Sequence, residues 1–126
     1  MKSYLLGLAI AAILYAAPTR ADEAATVDDT RCLLVSMRMM EMSDPAIKSA
    51  GTMSTMYWMG RLDGRTPDLK LEDQLIAEIG AMKQADYQTT ATRCAAVLSA
   101  RGKFMTDMAT DMHQKILQLQ KQQTAH

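Results

Sequence analysis

The chain has 126 residues, with 14 basic and 14 acidic side chains and 48% hydrophobic residues. Its balanced charge excludes the strongly basic surface on which nucleic-acid binding draws. Its length suits one compact domain.

The N-terminus reads as an export signal. Lys2 gives a positive start, and residues 5–17 (LLGLAIAAILYAA) form an uninterrupted apolar run. A bilayer takes roughly 20 apolar residues, so this run suits the apolar region of a signal peptide, with an uncleaved anchor as the alternative. Thr19 and Ala21 are the small residues expected before a cut after Ala21, whereas Pro18 disfavours a cut after Ala17. The expectation is a signal peptide over 1–21 and a soluble, periplasmic or secreted domain over 22–126, with no lipid anchor and no membrane contact after cleavage. Losing Lys2 and Arg20 leaves two more acidic than basic side chains.

Cys32 and Cys94 are the only two cysteines. In an exported chain such a pair is read first as a disulfide, which would stabilise by about 4 kcal/mol on the chain-entropy model. A redox-active or metal-binding pair is the alternative, with neither CxxC spacing nor a neighbouring histidine behind it.

The mature chain reads as a small all-α bundle of about four helices with a long last helix. Residues 22–29 are expected to be a loose leader whose Asp28 or Asp29 caps the first helix. From residue 30 to 42, Leu33, Leu34, Met37 and Met40 recur at helical spacing. Ser43-Asp44-Pro45 ends that helix and opens a second, running to about Leu62, with Ile47, Ala50, Met53, Met56 and Tyr57 along its apolar side. Residues 63–68 (DGRTPD) are a loop in which Gly64 takes a left-handed conformation and Pro67 blocks continuation. A third helix over 69–83 carries Leu71, Leu75, Ile76, Ile79 and Met82. After a loop at 84–89, a fourth helix over 90–120 has Ala91, Leu98, Met105, Met112 and Leu119 seven apart, with Met108 and Ile116 beside them. Arg101-Gly102 is a point where it can bend or divide, and residues 121–126 are a frayed tail.

Little in the sequence carries chemistry. The 12 methionines fall mostly at core spacing, so they are expected to build apolar faces. The alternatives are an adaptable binding surface at Met105, Met108 and Met112, or a Cu(I) site made by those thioethers with His113. His113 and His126 are too few for a histidine-based metal or catalytic set. Glu72, Asp73, Glu78, Asp107 and Asp111 fall on polar faces and are read as solvated surface. No enzyme activity, metal or cofactor is expected. Tyr57, Trp58, Gly60, Asp63 and Gly64 form the most specific segment, where the aromatics are expected to pack, Gly60 to permit close helix approach and Gly64 to cap.

The signal peptide, Cys32 near the start of the first mature helix, the Trp58–Gly64 aromatic and glycine segment, and Cys94 in a later helix together resemble the small periplasmic acid-stress chaperones of the HdeA/HdeB type. The chain departs from them in having Leu62 where an aromatic is expected, a longer cysteine spacing and an extended last helix. The resemblance implies a helical fold with a Cys32–Cys94 bridge, and a dimer that loosens in acid to bind unfolding proteins. The competing expectation is a helical module that docks one envelope partner through its last helix.

Overall fold

A computed structural model describes residues 20–124. Of the segment read as a signal peptide, residues 1–21, all but Arg20 and Ala21 lie outside the described residues, and so does the end of the tail at 125–126. Four α-helices follow in chain order: α1 Arg20–Met40, α2 Pro45–Arg65, α3 Leu71–Ala81 and α4 Gln84–Thr124. The fold is an all-α bundle with a long C-terminal helix, and a Cys32–Cys94 disulfide joins α1 to α4 across 62 positions with a Cα–Cα distance of 5.6 Å.

Two expectations about helix starts are corrected. Residues 22–29 are not a leader but the first turns of α1, with Thr26 and Asp29 buried. Asp22 and Glu23 complement the helix dipole there, and Asp29 is an interhelix ion partner rather than a cap. Likewise residues 84–89 open α4 directly. The Asp86 carboxylate accepts the Lys83 backbone N–H at 2.7 Å, the reciprocal half of a capping box. Arg101-Gly102 does not divide the helix, and α4 continues through 121–124.

The start of α2 matches its chemistry. Asp44 Oδ1 accepts the N–H groups of Ala46 at 2.8 Å and Ile47 at 3.1 Å, and Pro45 takes the first helical position. Its end differs from expectation, because no described residue has a positive φ and Gly64 stays helical. Thr66 (φ −136°, ψ 69°) stops the helix instead, as expected for a residue ahead of a proline.

The core is small. Cys32, Leu33, Trp58, Leu62 and Cys94 form one buried cluster, flanked by Tyr57, Leu69, Leu71, Leu75, Val97 and Leu98. Helix α1 is the hub, touching each of the other three. It meets α2 closely because Gly51 has no side chain. A Cβ there would lie 2.8 Å from Met39 Cβ and 2.9 Å from both Met40 N and Ser36 O. Gly60, expected to serve close approach, has no atom within 4 Å of its Cβ position. The approach also brings Ser36 and Ser54 hydroxyls to 2.6 Å. Ser36 donates to the Cys32 carbonyl at 2.8 Å, and Trp58 Nε1 donates to Ser54 Oγ at 3.1 Å. Each hydroxyl has one proton, so Ser54 donates to Ser36 and a directed polar chain runs from Trp58 into α1.

This geometry overturns the methionine expectation. Helix α2 buries Gly51, Ser54, Trp58 and Leu62, the face whose small residues allow contact, and turns Met53 and Met56 to solvent at 72% and 70% exposure. Met37, Met40, Met59, Met105, Met108 and Met112 are exposed as well, and so are Ile76 and Ile79 of α3. Among the described residues Met82 is the one buried methionine, at 8% exposure.

Candidate functional site

Two features stand out from the bundle: an exposed methionine-rich surface, and the ion pairs that hold the helices beneath it. The surface has its longest run on α4. Leu98 still packs on the core, but every residue from 99 to 124 is exposed. Along that free length Met105, Met108, Met112, Ile116 and Leu119 share one face, with Phe104 at its edge. The Arg101 guanidinium lies 5.7 Å from the Phe104 ring centroid. Away from this face Lys103 Nζ meets Asp107 Oδ2 at 2.6 Å. His113 lines a shallow strip beside the stripe with Met105, Thr106, Ala109 and Thr110. Two smaller methionine clusters complete the surface: Met37, Met40 and Met42 at the end of α1, and Met53, Met56 and Met59 on the outer side of α2. An open cleft of about 700 Å³ lies between the end of α1 and the start of α4, bordered by Val35, Arg38, Met39, Met42, Tyr87 and Ala91.

The ion pairs tie α1 to its neighbours. Asp29, its side chain only 4% exposed, accepts from Arg61 Nε at 3.0 Å and from Arg65 Nη1 at 2.7 Å. Arg61 also donates to the Tyr57 hydroxyl at 3.2 Å, and its guanidinium lies 5.2 Å from the Trp58 ring centroid. The hydrogen bond to Tyr57 comes first and the Asp29 carboxylate second in raising the Arg61 pKa, against the opposing effect of burial. For Tyr57 itself burial pushes the phenol up, but hydrogen bonds and positive charge from Arg61 and Arg101 together leave it below its ordinary value. On the other side of α1, Arg31 Nε meets Glu78 Oε2 at 2.6 Å and Gln74 Nε2 donates to Glu78 Oε1 at 3.2 Å. That bond to Glu78 raises the Arg31 pKa against a smaller opposing effect of burial. Arg93 of α4 reaches Asp28 Oδ1 at 3.3 Å and the Asp28 carbonyl at 3.1 Å.

The residues singled out from sequence therefore separate. Cys32 and Cys94 are bonded to each other in the core. Trp58 is buried and Tyr57 stands edge-on to it at 4.9 Å, whereas Gly60, Asp63 and Gly64 are exposed. Met105, Met108 and Met112 lie together on α4. Glu78, read as solvated surface, is instead a buried partner of Arg31. Asp29, Arg61, Arg65 and Gly51 had not been singled out for these roles. The i,i+4 spacing of Arg61 and Arg65 was the one available hint of a shared carboxylate.

Among the described residues no group of three or more His, Cys, Asp or Glu could hold a metal ion, and no helix is long and apolar enough to cross a membrane. No protein-family model matches the chain, and neither a curated protein nor a solved structure matches it.

Proposed function

We propose that this protein is an exported, non-enzymatic helper that binds unfolded or partly folded proteins, with acid as the condition that enlarges its binding surface. The observation that carries this reading is the exposed apolar stripe on the free half of α4, Met105 to Leu119. Flexible thioether side chains adapt to irregular apolar partners. The compartment and the acid trigger rest on the signal-peptide reading and on the resemblance to the periplasmic acid-stress chaperones.

A physical route joins acid to exposure. Carboxylates are protonated well below about pH 4. Arg31, Arg61 and Arg65 keep their charge throughout, in partly buried positions where an arginine depends on its counter-charge. The whole chain becomes strongly positive at the same time and repels itself. The disulfide holds α1 to α4 while α2 and α3 loosen, adding core apolar surface to the methionine surface.

The competing reading, docking of one defined envelope partner, is favoured by the seven-residue spacing of Leu98, Met105, Met112 and Leu119 on a helix that projects from the bundle. Light scattering of an unrelated aggregation-prone protein, at neutral pH and at about pH 3, tests the two. Protection that grows in acid supports the helper reading. Absence of protection at both values removes it and leaves the docking module.

A further inference from the structure

The placement of methionine in this chain is inverted relative to ordinary cores. Among the described residues nine methionines are exposed, in three clusters. The central cluster of Cys32, Leu33, Trp58, Leu62 and Cys94 contains none, and both cysteines are already oxidised to a disulfide. Leu or Ile would make surface stripes just as apolar. What methionine adds is a thioether open to oxidants and metals.

Of these two chemistries the geometry favours oxidation. Soft-metal binding needs several thioethers to close around one ion; Met53, Met56 and Met59 sweep about 120° around α2 by their three-residue steps, and Met105, Met108 and Met112, though on one face, lie along a single fully exposed stretch of α4. Oxidation requires no convergence, because each sulfur reacts alone. We propose that the surface methionines are sites of reversible two-electron oxidation by peroxide or hypohalous acid, and that oxidation of Met105, Met108 and Met112 switches the α4 stripe from apolar to polar. With peroxide the thioether sulfur attacks an oxygen, an S–O bond forms, the O–O bond breaks and water is released; with hypohalous acid the sulfur attacks the halogen and hydroxide leaves, and water then displaces halide at the sulfur with loss of two protons, giving the same sulfoxide. A dithiol-dependent sulfoxide reductase reverses the step: the oxygen leaves as water and two thiols close to a disulfide.

The fold is arranged to survive this. Sulfoxides at exposed positions remain solvated, and the core sulfurs, at 0% and 4% exposure, are out of reach. On α4 three of the five stripe residues become polar, leaving Ile116 and Leu119. The switch is relevant to client binding only if the stripe is the binding face proposed above, but the oxidation does not depend on that reading.

The test treats the purified, disulfide-bonded protein with hydrogen peroxide and follows each methionine by peptide mass mapping. Helix content and retention on a hydrophobic-interaction column are measured alongside at neutral pH. The exposed methionines should oxidise about tenfold or more faster than Met82, with helix content unchanged and retention reduced. A variant carrying Met105→Leu, Met108→Leu and Met112→Leu should keep most of its retention after the same treatment. Met82 reacting as fast as Met105 overturns the site assignment, and an equal loss of retention in the variant overturns the switch. Failure to protect any client before oxidation defeats the proposed function while both readouts here still stand.

Discussion

Gly51 and Gly60 sit on the same helix and make opposite demands. At Gly51 a methyl group would press on backbone atoms of α1, which cannot move without parting the two helices. The general gain of up to about 1 kcal/mol for alanine over glycine in a helix is then outweighed by overpacking of about 1–3 kcal/mol. Gly51→Ala should therefore lower the urea midpoint, and Gly60→Ala, with open space around it, should raise it by the equivalent of about 0.5–1 kcal/mol. Equal effects of the two changes would show that the close contact is not a constraint in solution. The same pair explains one limit of the sequence. A glycine inside a helical pattern says that something is unusual, but not whether a neighbour or a bend is the cause, and here the motif-bearing glycine was the idle one. Asp29 was equally silent. An acidic residue just before an apolar run reads as a cap, and only the arrival of Arg61 and Arg65 from 32 and 36 positions away gives it another role.

At the level of elements, α4 combines two helices in one. Its first half carries Thr90 and Cys94 into the core, and in its second half every residue from 102 to 124 is exposed. Most helical stability in proteins comes from tertiary packing, which this exposed stretch lacks, so amides from 102 to 124 should exchange with solvent far faster than those around Cys32, with opening free energies near zero. Truncation after Gly102 should leave the thermal transition within a few degrees of the full chain and abolish protection of an aggregating client. A large fall in the transition would mean that the free half contributes to the fold, and intact protection would move the binding face to α1 or α2. Helix boundaries were legible where a local signal decides them, as side-chain capping does at Asp44-Pro45. At the end of α2 the block by Pro67 was legible, but the stop was placed at Gly64 rather than at Thr66. The starts of α1 and α4 were missed because they depend on tertiary burial of Thr26 and Asp29 and on a backward bond from Asp86. Facial patterning failed for a different reason. On α2 the buried line was chosen by size, with glycine and serine inward, and a hydrophobicity count places methionine there instead.

For the whole molecule, the disulfide and the two ion-pair clusters divide the work of holding α1 to its neighbours. The disulfide was legible from the cysteine count and the signal-peptide reading, and it is indifferent to pH. The Asp29 and Glu78 pairs, invisible in the sequence, are the charge-dependent component. Removing the bridge with Cys32→Ala and Cys94→Ala should cost about 4 kcal/mol and convert acid loosening into complete unfolding, seen as loss of far-UV helix signal at about pH 3. The ion pairs can be tested without acid. Asp29→Asn with Glu78→Gln keeps the shape and part of the hydrogen bonding, but leaves Arg31, Arg61 and Arg65 uncompensated at neutral pH. Breaking partly buried pairs of this kind costs roughly 2–4 kcal/mol, less than for a fully buried pair because the arginines are a quarter to a third exposed. The double variant should bind an apolar dye near neutral pH as the parent does only in acid, while its disulfide preserves most helix content. If the variant stays silent until the pH falls through the range in which the parent responds, these two carboxylates are not the trigger. Acid loosening would then come from the summed positive charge of the chain, which added salt should screen and delay.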